Sequence, residues 1–348
     1  MTKLSICIPT YNRQEHLIKL VTGILSSSIF DIEIVVLDDK STDSTLKLLK
    51  NIKDCRLNIF QNPVNRGSLF SMVNILHKGK GDYLLFLTDK DYLFSEKLPK
   101  FIEFLRKNKN VSAGYCSSSE TDATDIYPQG MQAIAHLAYM GNHPTGYFFK
   151  ADVFNSLNFM TRYSSFDDVE LFPFEFMLSD IGYLYDLAIY RDILVANEKK
   201  EDAEKIKSYS INGNDPEAYF HPSSRFRMSK KYLKHAMKLK LTKSEKNNIY
   251  SGIFMRGLYQ ASFGYKKIMS DKYICAHHYI ETRNVSNLEL FTSIVVFYIN
   301  FVAILEINKP LDFIYSFAYL HIKIFDKVIK IFLAKKNYLA DSSSKCNS

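Results

Sequence analysis

Apolar positions in the first hundred residues change period in a regular order. Leu4, Ile6 and Ile8 alternate with Lys3, Ser5 and Cys7, the period-two pattern of a strand, which Pro9 closes by lacking a ladder donor. Asn12 followed three residues later by Glu15 has the form of a capping box. The helix it would start carries Leu17, Leu20, Val21, Ile24 and Ser28 on one stripe at 3.6-residue spacing. Ile32 to Leu37 is nearly continuous apolar sequence interrupted by Glu33, as in a strand covered on both faces. A polar cluster, Asp38 to Ser44, leads into a helical stretch at Thr45–Leu49, and Leu57 to Phe60 predicts a third strand. Leu69, Met72, Val73 and Leu76 predict a helix ended by Gly79 and Gly81, and Tyr83 to Leu87 a fourth strand. Strand and helix alternating in this way predict an α/β fold with a mainly parallel sheet and right-handed crossovers, helices lying on both faces.

That topology decides where chemistry belongs. Ligands of such sheets sit beyond the carboxyl ends of the strands, and three polar clusters fall there: Pro9–Arg13, Asp38–Asp43 and Asp89–Asp91. Ser41 or Asp43 reads as a helix cap. Capping does not explain Asp38 and Asp39, two acids in succession at the end of a buried strand, which can accept hydrogen bonds from a nucleobase or a ribose. Asp89 and Asp91, two residues apart after the fourth strand, can share a hard divalent cation that bridges a diphosphate.

The segment Ser5-Ile6-Cys7-Ile8-Pro9-Thr10-Tyr11-Asn12-Arg13 resembles the opening strand of the glycosyltransferase family 2 proteins of the GT-A fold. Val36-Leu37-Asp38-Asp39-Lys40-Ser41-Thr42-Asp43 resembles that family's V-D-D-G-S-T-D segment, with Lys40 in place of glycine. Asn65-Arg66-Gly67 and Asn74 match its N-x-G and downstream Asn, and Leu85-Phe86-Leu87-Thr88-Asp89-Lys90-Asp91 is similar to its strand and D-x-D. The resemblance covers about the first hundred residues. It implies transfer of a sugar from a nucleoside diphosphate donor, a UDP-sugar being favoured, usually with inversion and with Mn2+ or Mg2+. It places Pro9, Thr10, Tyr11, Asn12, Asp38, Asp39, Asn65, Arg66, Asn74 and Asp89 around the nucleotide sugar, and Asp89 and Asp91 on the metal.

An inverting transfer needs a general base for the acceptor hydroxyl, which the family supplies from an acidic pair at a helix start downstream. Thr145-Gly146-Tyr147-Phe148-Phe149-Lys150 resembles the strand preceding that helix. Three carboxylates compete for the role: Asp167 and Asp168, in place of the usual Glu-Asp, and Glu175. Spacing back from Tyr190-Arg191 favours Asp168, although Pro173 falls inside the expected helix and the family's helix Arg is absent. His143-Pro144 and His221-Pro222 read as loops. His221 is a candidate extra metal ligand, because some GT-A enzymes add a late histidine.

Composition then separates two regions. The chain has 348 residues, 47% apolar and 24% charged, which excludes wholesale disorder. Its formal charge is +8, yet Arg225 to Lys272 holds thirteen Lys or Arg against two acids, so the remainder is slightly acidic. No helix-turn-helix, RNP or zinc-finger pattern accompanies the basic stretch, so nucleic acid is not an expected partner. Five cysteines without a C-x-x-C pair, and no leader ahead of Leu4, predict reduced thiols in a cytoplasmic protein. No G-x-G-x-x-G follows Ile8 and no P-loop occurs, which disfavours dinucleotide oxidoreductases and P-loop hydrolases. Leu290 to Leu305 is uncharged but short of the ~20 residues that span a bilayer. Ile322 to Lys336 sets Lys323, Asp326, Lys327 and Lys330 against Phe325, Val328, Ile329 and Phe332, an amphipathic pattern suited to an anionic membrane surface. The expected organisation is a GT-A domain over 1–205 (donor half 1–110, acceptor half 111–205), a basic helical region over 206–282, amphipathic membrane- or partner-binding helices over 283–340 and a disordered tail over 341–348. The expected function is a metal-dependent glycosyltransferase peripheral to the inner membrane face, acting on a glycan or lipid-linked acceptor in surface polysaccharide synthesis. The competing reading is a membrane-associated scaffold with a degenerate transferase site.

Overall fold

The computed structural model describes residues 3–117, 124–139, 143–163, 173–197, 220–277 and 280–304. They fall into two units: residues up to 220 with 267–284, and 221–266 with the chain from 285. Asp167, Asp168, the amphipathic stretch 322–336 and the tail 341–348 lie outside the described residues.

In the first unit the apolar alternation becomes β1 (Leu4–Thr10), followed by α1 (Gln14–Leu25), β2 (Ile32–Asp38), α2 (Thr45–Asn51), β3 (Leu57–Gln61), α3 (Ser68–Leu76) and β4 (Tyr83–Phe86). The short β5 (Tyr92–Leu93), α4 (Leu98–Lys107), β6 (Val111–Cys116), β7 (Asp125–Tyr127), α5 (Met131–His136) and β8 (Tyr147–Lys150) follow. The unit continues through α6 (Ala151–Ser156), α7 (Phe159–Tyr163), α8 (Pro173–Leu184), β9 (Asp186–Tyr190) and β10 (Val195–Ala196). One eight-stranded sheet runs β3-β2-β1-β4-β8-β6-β9-β7, and β5 pairs with β10. β1 is parallel to both β2 and β4, with Thr10 opposite Asp38, so the ends of these strands open on one side. β8 is antiparallel to β4 and β6, which brings its entry, not its exit, to that same side. Leu4, Ile6, Ile8, Leu17, Val21, Ile24, Ile34 and Val36 form the buried core beneath.

Several local expectations change for identifiable reasons. β1 continues through Pro9, which pairs opposite Leu37, to Thr10. The capping box at Asn12 and Glu15 does not form: Arg13 occupies the cap without a side-chain bond, and Asn12, at φ +52°, turns to another loop. α1 stops at Leu25, short of Ser28. Gly79 and Gly81 serve close approach rather than a left-handed cap, since a Cβ on Gly81 would lie 2.7 Å from Lys3 O. The helix expected near Asp167 begins, among the described residues, at Pro173, where a first-turn proline is tolerated.

Glu33, near the start of buried β2, is satisfied by the Ser5 hydroxyl (2.6 Å), Asn58 Nδ2 (3.1 Å) and the Lys80 N–H (2.5 Å). The second unit opens with α9 (Pro222–Met237) and α10 (Lys243–Tyr259); between the units' segments run α11 (Tyr265–Ser270) and α12 (Lys272–His277), the latter within the first unit. In the second unit α9, α10 and α13 (Asn287–Ile304) pack through Phe226, Phe254, Phe297 and Phe301. Lys230, Lys231, Lys234 and Lys238 are all exposed along α9 and its end. Among the described residues no helix is long and apolar enough to cross a membrane, and Cys7, Cys55, Cys116 and Cys275 are free thiols.

Arg56 closes the end of α1. Its guanidinium donates to the carbonyls of Leu25 (2.6 Å), Ser27 (2.7 Å) and Ile29 (2.9 Å), a cation at a helix C-terminus. Asp54 holds it there at 2.8 Å, and the hydrogen bonds from Arg56 lower the Asp54 carboxyl from its usual 3.8 to about 2. A depressed carboxylate contributes stability that is complete above its unfolded value and is lost as pH falls through the folded one. Asp54→Asn should therefore flatten the acid-unfolding curve between about pH 4 and pH 2. A wild-type slope in that window, followed by circular dichroism, would show that the pair contributes nothing.

Candidate nucleotide-sugar site

Three strand ends converge because β1 lies between β2 and β4. Thr10 is the junction. Its carbonyl accepts from the Asp39 N–H at 2.8 Å, and its hydroxyl donates to Asp89 Oδ2 at 2.8 Å. One residue of the first motif thus touches both acidic motifs.

Asp38 and Asp39, adjacent in sequence, turn their buried carboxylates to different partners. Asp38 accepts from Gln61 Nε2 (2.8 Å) and the Ser41 N–H (3.2 Å), shaping its own turn and tying it to β3. Asp39 accepts from Asn62 Nδ2 (2.7 Å) and from the N–H groups of Arg66 and Gly67 (2.9 Å each). Those two N–H groups lie at the start of α3, where an anion is favoured by both unsatisfied donors and the helix dipole. Lys40, where the family motif carries glycine, takes φ +66°, so the turn keeps a left-handed residue despite a side chain. Asn12 Oδ1 accepts from the Thr42 N–H at 2.7 Å, and the Asn12 N–H donates to Ser41 at 2.9 Å, lacing the β1–α1 and β2–α2 loops together. Asn65 accepts from the Gly67 N–H (3.0 Å), and the Arg66 guanidinium lies 4.2 Å from the Phe70 ring centre. Asn74 reaches Asn62 at 3.4 Å, one step behind Asp39. Pro9 and Tyr11 flank Thr10, each partly exposed.

The D-x-D carboxylates also differ. Asp89 is partly exposed and bonded to Thr10. Burial pushes its carboxyl up, while the Arg13 charge, the Thr10 hydroxyl and Lys90 pull it back and Asp91 adds to the rise. Asp91 is buried, its Oδ2 taking the hydroxyls of Thr88 and Thr145, with His143 Nδ1 at 3.5 Å. His143 and Thr145 stand here because β8 runs antiparallel, its entry beside the end of β4. Sequence reading placed His143 in a loop and gave Thr145 no role. No local signal marked either residue, because the direction of β8 is a property of the folded sheet. Glu175 is buried in the first turn of α8. His221 caps α9 in the second unit, its Nδ1 accepting from the Ser223 N–H at 3.3 Å. Among the described residues no group of three or more His, Cys, Asp or Glu forms a cation cage.

The arrangement gathers four carboxylates at the strand ends, Asp89 partly exposed and Asp38, Asp39 and Asp91 buried, backed by N–H donors and hydroxyls. The family described as Glycosyl transferase family 2 matches residues 5–168. An uncharacterized glycosyltransferase of Haemophilus influenzae is 34% identical over 113 residues, covering 32% of this chain and 45% of the relative. The Escherichia coli UDP-Glc:alpha-D-GlcNAc-diphosphoundecaprenol beta-1,3-glucosyltransferase WfaP is 33% identical over 109 residues, 31% of this chain and 43% of its own length. The match spans less than half the length of these curated relatives. The crystal structure of S. aureus TarS in complex with UDP-GlcNAc superposes with a TM-score of 0.58 at 15% identity, covering 91% of this chain and 88% of that one. The fold is thus α/β of the GT-A kind, with a helical C-terminal region.

The Asp39 carboxylate accepts three N–H donors from another loop and from the start of a helix, and leaving such donors unpaired costs about 1–3 kcal/mol. Asp39→Ala should lower the denaturant-unfolding stability by about 2 kcal/mol and increase amide exchange at Arg66 and Gly67. Unchanged exchange at those two amides would refute the link.

Proposed function

We propose, from the match of residues 5–168 to glycosyl transferase family 2, that the chain belongs to that family and moves a sugar from a nucleoside diphosphate donor, most simply a UDP-sugar, to a glycan or lipid-linked acceptor in surface polysaccharide synthesis. The observation that carries this reading is the Thr10 junction, which sets Asp39 and Asp89 together at the open end of the sheet. WfaP, by its name, takes UDP-Glc and a diphosphoundecaprenol-linked acceptor and makes a β-linkage, which supports donor, acceptor and inversion of an α-linked donor.

Asp39 fits nucleoside recognition, and Asp89 fits the ribose and diphosphate. The donor set fits a divalent cation: two carboxylates two residues apart, hard oxygens each accepting from a threonine hydroxyl. Asp89 and Asp91 would hold manganese or magnesium. Such an ion, when bound, neutralises charge developing on the leaving diphosphate. The chain's own step is proton removal: a carboxylate takes the acceptor hydroxyl proton as its oxygen attacks the anomeric carbon, and the diphosphate departs with the bonding pair. We assign that base to Asp168, with Asp167 and Glu175 as competitors. Spacing back from Tyr190 favours Asp168. Membrane attachment belongs to the same reading. Leu288, Phe291, Val296 and Ile299 are exposed along α13, and the α9 lysines are exposed in the same unit.

Asp91→Asn should fold and lose manganese-dependent donor cleavage. Asp168→Asn should bind donor as the wild type does and lose transfer by about two to four orders of magnitude. If Glu175→Gln has that phenotype while Asp168→Asn turns over normally, the base is Glu175. For attachment, the full chain should sediment with anionic phosphatidylglycerol vesicles and be partly released by salt, because surface lysines contribute about 1 kcal/mol each and are screened over about 8 Å. Equal sedimentation with neutral and anionic vesicles would remove the electrostatic part of the claim.

A further inference from the structure

We propose that Thr145 is a positioning residue for Asp91. Through it, the chain entering β8 sets the rotation of the second D-x-D carboxylate. The inference rests on the donor-binding reading above and adds a residue to it.

The Asp91 side chain is shut off from solvent, and a carboxylate in that position needs donors. Two threonine hydroxyls supply them to one oxygen, Oδ2. A hydroxyl has a single proton and two lone pairs. The Thr145 oxygen accepts the Thr88 N–H at 3.0 Å, and its single proton has two acceptors in reach, the Thr88 hydroxyl at 3.2 Å and the nearer, charged Asp91 Oδ2, which is the stronger one. The result is a polarised series running from the Thr88 amide through the Thr145 hydroxyl to the carboxylate, and charge-assisted bonds of this kind are the strong ones.

Thr145 is itself placed by backbone. The Gly146 N–H donates to Phe86 O at 2.9 Å, and the Cys116 N–H donates to Gly146 O at 2.8 Å, which fixes the segment between β4 and β6. Gly146 has φ +99°, and a Cβ there would lie 2.9 Å from Cys116 O. The Thr145 N–H is also held, by His143 Nδ1 at 3.3 Å. The hydroxyl is therefore located by the sheet, and Asp91 is oriented by the hydroxyl. The consequence is functional: an acceptor-half residue sets how a donor-half carboxylate meets the metal and diphosphate.

A second group of the same chemistry provides a control. At the other end of β1 the Ser5 hydroxyl accepts the Gly81 N–H at 2.8 Å and donates to buried Glu33 at 2.6 Å. If hydroxyls of this kind only hold the fold, Ser5→Ala and Thr145→Val should have the same phenotype.

The test titrates UDP, GDP and dTDP into the full-length chain by calorimetry, with and without manganese, and follows unfolding midpoints in parallel. Thr145→Val should weaken manganese-dependent nucleotide binding by about tenfold or more, the scale of one charge-assisted bond. Thr145→Ser should restore it to within about threefold, since the hydroxyl returns. Ser5→Ala should lower the unfolding midpoint and leave nucleotide affinity unchanged. If valine prevents folding, Thr145→Ala carries the same expectation without the branched methyl. Wild-type affinity in a folded Thr145→Val or Thr145→Ala protein overturns the proposal. So does an equal loss of affinity in Ser5→Ala, which would make both hydroxyls merely structural. If the wild type binds none of the three nucleotides with manganese, the donor-site reading fails, and this proposal fails with it.

Discussion

The parallel pairing of β1 with both β2 and β4 is the constraint from which the candidate site follows. Because Thr10 is the last residue of the middle strand, its carbonyl and hydroxyl face the turns that leave the two neighbours. A two-residue slip of β1 against either partner would displace Thr10 by roughly 7 Å at ~3.3 Å per residue, and both bonds would be lost. The register is protected by burial: Leu4, Ile6 and Ile8 lie in the core with Ile34 and Val36. The apolar alternation read first from the sequence is thus what positions the acids.

The acids in turn hold the loops that surround them. Asp38 and Asp39 are adjacent, yet one satisfies its own turn and β3, and the other satisfies the amides at the start of α3. Each contributes its charge to the site and to the backbone around it. Substituting either one therefore changes the loops around it. The substitution of Lys for Gly at position 40 fits the same picture. The turn keeps φ +66° because bonds on either side of it, from Ser41 to Asp38 and from Asn12 to Ser41, determine its path. Local bonding outweighs a preference of about 1–2 kcal/mol against that region.

What was legible in the sequence was local or periodic. The four β–α units, the strand-end clusters and the apolar stripe of Leu17, Val21 and Ile24 can be read from spacing alone. The capping box at Asn12 was misread because Asn satisfies a neighbouring loop as readily as a helix end, and only the fold decides between them. Gly79 and Gly81 looked like helix terminators, since nothing local shows that the chain passes against Lys3 and Ser5. His143 and Thr145 were missed for the same reason. Their place beside Asp91 depends on one strand running antiparallel within a largely parallel sheet, a fact of topology that no local pattern carries.

The two ends of β1 show why chemistry alone does not mark a site. Ser5, Glu33 and the Gly81 amide repeat the hydroxyl, carboxylate and N–H grouping of Thr145, Asp91 and the Thr88 amide, with similar distances. At the Glu33 end three donors converge on the one acid, and an amide beside a close-packed glycine leaves no room for a ligand. At the Asp91 end a second carboxylate, Asp89, stands two residues away and partly exposed, with Arg13 and Lys90 acting on its charge. Burial raises the Asp89 carboxyl, and the Arg13 charge and the Thr10 hydroxyl pull it back. The two acids differ in their neighbours: Glu33 stands alone among its donors, whereas Asp91 has the partly exposed Asp89 beside it at the carboxyl end of a parallel strand, where ligands of such sheets sit.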